Sequence, residues 1–381
     1  MKYKITALAA AAIIAISSAA GIILTASAAG IRATQDSSDF LTDCSSRAGY
    51  DYLGTMKNGK ALQRAYDKMC DAAEKLWNDT DRTISNLQNY YYYAAIPYDG
   101  LTYDEMGIVY VTFKNDFPLY YFAEGLMVGD AKNFYMVTDI SYIKGSARAK
   151  AQQDIREYIT STAKKAESAE SVYEKALIIH NAINNDLEYA YDSEGAASGE
   201  PWAHNILGAC CNGKGVCECY ARTFQAVMNY LDIDNYFVSG KTDQGDHAWN
   251  AVRMDDGKCY YVDCTWDDVS GRNIYFAKGK RTMSADHKVD VPCDDPLRFF
   301  IKLPDISYTD LDPQTILSER ETGDINGDET VNVTDISIIA AHIKSVRPLY
   351  GINLKYADIT GDGKVNISDL SKLAAKVKGK S

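Results

Sequence analysis

Proline is scarce in this chain of 381 residues, with 8 in all, which argues against long extended or low-complexity tracts. Positive charge is in deficit too: 40 Lys and Arg stand against 52 Asp and Glu, for a net charge of -12. A chain this acidic has no general positive face with which to displace counterions, which argues against binding nucleic acid through its phosphates. No stretch after residue 30 runs 18 apolar residues without a charge, so an internal membrane span is excluded on length. The 5 histidines are scattered and no Cys-x-x-Cys pair occurs, which argues against a structural zinc site. What the sequence does have is 46% hydrophobic residues, 11% aromatics and 28 tyrosines. That is enough for a sizeable core and, at this length, for two or three domains.

The first residues read as an address. Lys2 and Lys4 precede an apolar stretch from Ile5 to about Leu24, and Ala26-Ser27-Ala28 places small residues where a signal peptidase cuts. Residues 1–28 are therefore expected to be a cleaved secretory signal. The alternative, suggested by the length of the stretch, is an uncleaved membrane anchor. Removing 1–28 takes away two lysines and no acid, which leaves -14. Export permits disulfides, and the 9 cysteines (44, 70, 210, 211, 217, 219, 259, 264 and 293) are odd in number, so at least one thiol is left over. The adjacent pair Cys210-Cys211 is geometrically unsuited to one ring.

After a Ser- and Asp-rich lead from Gln35 to Asp43, the set Leu62, Tyr66, Met69, Ala73 and Leu76 falls at helical spacing. Thr102-x-x-Glu105 has the form of a capping box, and the helix it opens should stop at Asp116-Phe117-Pro118. Residues 146–187 read as two more helices, and the run Tyr90 to Tyr93 as the packed face of a helix or strand. A Gly-rich turn, Gly213-Lys214-Gly215, leads into a helix carrying Tyr220, Phe224, Val227, Met228 and Leu231, and strand-like segments follow at 235–239, 247–254 and 259–265. Helices followed by strands imply an α+β fold. Residues 304–321 lose periodicity and read as a linker.

The last sixty residues contain a repeat at an offset of 34: Asp324, Asn326, Asp328, Asn332 and Asp335 align with Asp358, Thr360, Asp362, Asn366 and Asp369. Oxygen side chains at loop positions 1, 3, 5, 9 and 12, with backbone carbonyls of Thr330 and Lys364 at position 7, supply the hard ligand set of two Ca²⁺ ions. One apolar-periodic helix follows each loop. Residues 322–380 closely resemble a type I dockerin, the small all-α module that plugs secreted enzymes into a cohesin of a scaffolding protein. The resemblance implies two alternative cohesin-facing surfaces, Val333, Thr334, Ala340 and Ala341, and their mates Ile367, Ser368, Ala374 and Ala375. Thr360 replaces the more usual Asn or Asp, and Glu329 sits where many calcium loops carry Gly.

The chemistry lies between 200 and 270. Cys217 is expected at a helix N-terminus, where unpaired N–H groups and the macrodipole favour thiolate. Its base and orienter are sought in His247-Ala-Trp-Asn250 and Val262-Asp263-Cys-Thr-Trp266. A two-residue turn at Asp256-Gly257 would put His247 and Asp263 on opposite faces of a hairpin. A three-residue loop, Asp255-Asp256-Gly257 with Gly left-handed, pairs positions that sum to 512 and makes them diagonal neighbours on one face. Gly-Val-Cys217-x-x-Tyr-Ala, His247-Ala-Trp-Asn and Val-Asp263-x-Thr-Trp-Asp, in this order, resemble the transglutaminase-like superfamily, whose core is related to papain-like cysteine proteases. The likeness spans about residues 80–300. It implies Cys217 as nucleophile, His247 as base and acid, Asp263 as the group fixing the imidazole, and the Cys217 N–H as an oxyanion donor.

The expected organisation is a signal at 1–28, a helical lead at 30–79, a catalytic unit at 80–303, a linker at 304–321 and a dockerin at 322–380. Cys219 reads as a packed helix residue, a disulfide partner or a redox lock on Cys217. His180, His204 and His287 show no matching acid at useful spacing and read as structural, His342 as surface, and Trp249 and Trp266 as core or site wall. Three functions follow: a secreted hydrolase of peptide or amide bonds acting through a Cys acyl-enzyme, a cross-linker moving Gln acyl groups to Lys, or an inactive dockerin-bearing subunit of polysaccharide degradation. The hydrolase is favoured, because water competes at an exposed thioester and no lysine-accepting tunnel is evident. Its expected partners are a cohesin and a protein or peptide substrate, with no cofactor for the chemistry itself.

Overall fold

A computed structural model describes residues 37–78, 84–87, 90–123, 127–289, 303–317, 320–327, 330–346, 348–349 and 352–379. The signal expected at 1–28, Cys293, Asp328 and Glu329 lie outside the described residues.

Helices α1 (Ser37–Asp43), α2 (Ala48–Thr55) and α3 (Gly59–Asn78) come first. The stripe expected on α3 is real: Leu62, Tyr66, Met69, Ala73 and Leu76 are all buried. Strands β1 (Ser85–Leu87) and β2 (Tyr90–Pro97) follow, then α4 (Tyr103–Asp116), β3 (Val128–Gly129) and β4 (Asn133–Thr138). The capping box at Thr102 and Glu105 forms, and the α4 helix stops one residue before Phe117 as its Pro118 requires. The four strands make an antiparallel sheet in the order β1-β2-β4-β3. This corrects the expected order of helices then strands. The tyrosine run is strand β2, with Tyr93 buried, Tyr91 and Tyr92 half-buried, and a register shift between Tyr92 and Ala94 that breaks the alternation.

Helices α5 (Gly145–Lys164) and α6 (Val172–Asp186) match the two expected from the Ala-rich stretch. A short parallel pair, β5 (Glu188–Tyr189) and β6 (Lys214–Gly215), leads directly into α7 (Cys217–Tyr230). The second sheet then forms from β7 (Asn235–Thr242), β8 (Gly245–Arg253) and β9 (Cys259–Val262). Asn250 pairs with Val262 and Arg253 with Cys259, and the Met254 N–H donates to Lys258 O at 2.9 Å. The loop is therefore Asp255-Asp256-Gly257, with Gly257 at φ 77°, and the register is the one that sums to 512. The strand ends sooner than its composition suggested. Asp263 is not a strand residue but the N-cap of α8 (Cys264–Ser270), accepting from the Thr265 and Trp266 N–H groups. Helix α9 (Lys280–Met283) and strand β10 (Lys288–Val289) follow, and β10 closes the sheet order β10-β7-β8-β9.

The segment expected as a free linker is packed. Ile306, Leu311 and Ile316 are buried, Ser307 N–H donates to Cys259 O at 2.8 Å, and the Asp310 carboxylate accepts from Gly279 N–H at 2.9 Å. Helix α10 (Gln314–Leu317) ends this strap. The C-terminal repeat adds α11 (Val333–Ile343), α12 (Ile352–Ala357) and α13 (Ile367–Val377) around Ile325, Ile339, Leu349, Ala357 and Leu373. Among the described residues no helix is long and apolar enough to cross a membrane.

Asp255 ties the repeat to the body. This fully buried carboxylate accepts from Val172 and Tyr173 N–H at the head of α6, both at 3.0 Å, and from Ile352 N–H at the head of α12 at 2.8 Å. Ile352 itself lies in the main core. Replacing Asp255 by Ala leaves three backbone donors without their acceptor, that of Ile352 buried and the other two part-buried, and is expected to lower the unfolding free energy by about 3 kcal/mol. Urea unfolding of the full chain measures this, and an unchanged midpoint would show that water or another group replaces the carboxylate.

Candidate active site and calcium loops

Cys217 occupies the first turn of α7, where the helix N–H groups have no intrahelical partner. The approach is built from glycines with a specific reason. A Cβ on Gly215 would lie 2.4 Å from Cys219 Cβ and one on Gly208 would lie 2.6 Å from its sulfur. Cys219 fills the space those glycines leave, is fully buried, and burial pushes its thiol up to about 12. It is a packing residue. All eight described cysteines are unpaired, so none of the disulfides that export would permit forms among them.

The hairpin register brings His247 and Asp263 together, with His247 Nε2 and Asp263 Oδ2 2.7 Å apart. The Cys217 thiol acts on the same imidazole and favours its charged form, and Nδ1 is the ring nitrogen that Asp263 leaves open. Burial opposes charge on His247, but the charge and hydrogen bond of Asp263, with the Cys217 contact, outweigh it and raise the imidazole to about 10. Burial likewise works against the Asp263 anion, and His247 and then His287 hold it well below the usual carboxylate range. The site wall is aromatic. The His247 ring stacks with Trp249 at 5.8 Å between centroids, and Trp266 lies at 5.8 Å on another side.

The three histidines expected to lack an acid each have one. His180 Nε2 meets Asp267 Oδ2 at 3.0 Å, His204 Nδ1 meets Glu218 Oε2 at 3.5 Å, and His287 Nε2 meets Asp263 Oδ2 at 2.9 Å. Sequence spacing hid these pairs because each acid sits on a different element from its histidine. His287 is the functional neighbour that sequence reasoning missed; its only local signal was the acid beside it, Asp286, at 2.6 Å from Nδ1. His342 is not simply surface, being half-buried with its Nδ1 accepting from Leu349 N–H at 2.9 Å.

His247, His287 and Asp263 present one ligand atom each within 4.8 Å of one another. The nitrogen–oxygen separations of 2.7 and 2.9 Å are hydrogen-bond lengths, however, and a proton on each nitrogen occupies the position a metal would need. Beside the site, a cavity of about 270 Å³ opens along the Glu218 and Arg222 side of α7, walled by Phe117, Tyr120 and Tyr121. Arg222 is bound to Glu218 at 2.8 Å and lies over Phe237 at 4.5 Å.

In the second repeat loop, Asp358 Oδ1 accepts from Gly361 N–H at 2.8 Å and from Thr360 Oγ1 at 3.2 Å, and Asp369 Oδ1 accepts from Thr360 N–H at 2.9 Å. The left-handed Gly361 and Gly363 fold the chain back around these oxygens. In the first loop, Asp324 and Asp335 are buried, and Asp335 Oδ1 accepts from Ile325 N–H at 2.8 Å. The buried carboxylates of Asp324, Asp335 and Asp369 are hard oxygen donors of the kind a divalent ion takes. Asn332 and Asn366 cap α11 and α13, each Oδ1 accepting from Thr334 or Ser368 N–H. Val333, Thr334, Ile367 and Ser368 are exposed, and Ala340, Ala341, Ala374 and Ala375 half-buried, giving two equivalent patches.

Residues 159–264 match the model of the transglutaminase-like superfamily, and residues 322–378 match the type I dockerin domain. The first match contains Cys217, His247 and Asp263 and ends before His287. Among solved structures, one described as a TGase is 17% identical over 37% of this chain and 43% of its own, with a TM-score of 0.26. Another, described as "a Putative Cysteine Protease from Cytophaga hutchinsonii", is 23% identical over 29% of this chain and 37% of its own, with a TM-score of 0.23. The chain thus spans less than half the length of either structure. No curated protein matches it.

Proposed function

We propose that this chain is an exported cysteine hydrolase of peptide or amide bonds, held on a scaffolding protein by a cohesin that grips its dockerin. The catalytic unit is assigned to about residues 80–303, and the observation that carries the reading is His247 held by Asp263 at 2.7 Å, with the Cys217 thiol acting on the same imidazole. Because Asp263 accepts at Nε2, that nitrogen keeps its proton and Nδ1 is left to work on the thiol.

The thiol proton passes to His247 Nδ1 while sulfur bonds the substrate carbonyl carbon and the C=O electron pair moves to oxygen. The Cys217 N–H at the head of α7 receives this oxyanion. Collapse breaks the C–N bond, and the amine leaves with the proton from His247. Water then gives a proton to His247 as its oxygen attacks the thioester, the C–S bond breaks, and the acid product and the Cys217 thiol are restored. Two Ca²⁺ ions belong to the dockerin, where Asp324, Asn326, Asp328, Thr330, Asn332 and Asp335 would hold one and Asp358, Thr360, Asp362, Lys364, Asn366 and Asp369 the other. The patches at Val333 and Ile367 are the alternative cohesin surfaces.

A thiol label under limiting conditions is expected to enter the calcium-loaded protein at Cys217 and to be lost in Cys217→Ser, since burial raises the Cys44, Cys70, Cys210, Cys211, Cys219, Cys259 and Cys264 thiols. With a peptide substrate, new amino termini or ammonia should appear without added amine. Faster incorporation of a tagged primary amine into a Gln peptide would replace hydrolysis with cross-linking. Neither activity in reduced, calcium-loaded protein would leave an inactive docking subunit.

A further inference from the structure

The Asp263 carboxylate is shared between two imidazoles. Its Oδ1 accepts from Thr265 N–H at 2.9 Å and Trp266 N–H at 3.2 Å, and its Oδ2 meets His247 Nε2 at 2.7 Å and His287 Nε2 at 2.9 Å. Four donors meet the roughly four lone-pair directions of one carboxylate, so it has no freedom to turn. His287 is fully buried as a side chain, and its second nitrogen lies 2.6 Å from Asp286 Oδ1. Asp286 in turn accepts from the Tyr275 hydroxyl at 2.7 Å on Oδ2. Both nitrogens of His287 therefore face carboxylate oxygens, which only accept, and the imidazolium is the form that donates to both.

We propose that His287 is a positioning residue for the thiol–imidazole pair: lodged as a cation between Asp263 and Asp286, it shares the carboxylate that holds His247 and so limits how tightly that carboxylate keeps His247's proton. This rests on the reading of His247 as the base of the reaction. The titratable groups that face His287 are Asp263 from the head of α8, His247 from β8, Tyr275 from the segment after α8, and Asp286 from its own turn. Two of them are anions within hydrogen-bond distance. Without the cation, both would act on His247, which would hold its proton more strongly and pass it less readily to a leaving amine. A merely structural histidine, filling space between Trp249 at 5.0 Å and Trp266 at 4.5 Å, would leave His247's titration where it is.

The test is nitrogen NMR of the five imidazoles in the full, calcium-loaded chain, with the alkaline limb of activity followed in parallel. In the wild-type spectrum both His287 nitrogens are expected to act as donors, one to Asp263 and one to Asp286, and a ring nitrogen there that carries no proton overturns the proposal without any variant. In His287→Gln, which keeps a neutral N–H donor toward Asp263, the His247 titration and the alkaline limb should both move up by about one pH unit. Titration at the wild-type pH in a folded His287→Gln protein also overturns it. If that variant fails to fold, the wild-type spectrum decides. Failure of the underlying reading looks different: Cys217 would then be alkylated no faster in the wild type than in His247→Gln, whatever the state of His287.

Discussion

Asp263→Asn is expected to lower kcat/KM by about four orders of magnitude while leaving a folded protein, because the substitution keeps the shape and reverses a hydrogen bond. The Asn oxygen can still cap α8 through Thr265 and Trp266 N–H, which turns its NH₂ toward the two histidines. His247 Nε2 must then accept, its proton moves to Nδ1, and the nitrogen facing Cys217 can no longer take a proton. The charge effect has the same sign. With the anion gone, burial is opposed only by the Cys217 contact, so the imidazole falls from about 10. The imidazolium is then held less firmly. In the wild type, the stability His247 contributes is complete below 6.5 and is lost as pH rises through about 10. Asp263 is depressed, so its contribution is present above 3.8 and is lost as pH falls toward its lowered value. Asp263→Asn should abolish both dependences. A folded variant that keeps more than about a tenth of wild-type kcat/KM would mean that Asp263 only supports α8.

The order of the motifs and one glycine made much of this site legible. The left-handed Gly257 fixes a three-residue loop, the loop fixes the register, and the register with the turn into α8 brings Asp263 to His247. The capping box at Thr102 is equally local, closing a hydrogen-bonded ring within four residues. His287 could not be read this way. It reaches Asp263 across 24 positions through a segment with no period, so no spacing rule applies. The strap at 303–317 was missed for a related reason. Its buried residues Ile306, Leu311 and Ile316 are five apart, which fits neither the period of a strand nor that of a helix. The first sheet was obscured because β2 is a tyrosine run with a register shift, so its buried and half-buried faces are mixed in sequence.

Removing calcium from the full chain is expected to unfold the dockerin and to weaken the body with it. At α13 the three carboxylates Asp358, Asp362 and Asp369 share one short loop, and their charges repel once no cation holds them. Calcium at a thousand times its dissociation constant stabilises the folded form by about 4 kcal/mol per site, and a chelator withdraws that. Helices α11 and α13 pack on each other through Ile339 and Leu373, so losing either loop should cost both helices, seen as a fall in helical circular dichroism. The coupling goes further because α12 begins on Asp255 and buries Ile352 in the main core. The tryptophan transition, reported by Trp77, Trp202, Trp249 and Trp266 in the body, should therefore move to lower urea together with the dockerin signal. In Asp255→Ala the two transitions should separate, with calcium shifting only the dockerin. A wild-type tryptophan transition unmoved by chelator, alongside melted helices, would show that the contact at Asp255 carries no stability between the modules. A spectrum unchanged by chelator would remove calcium from the fold altogether.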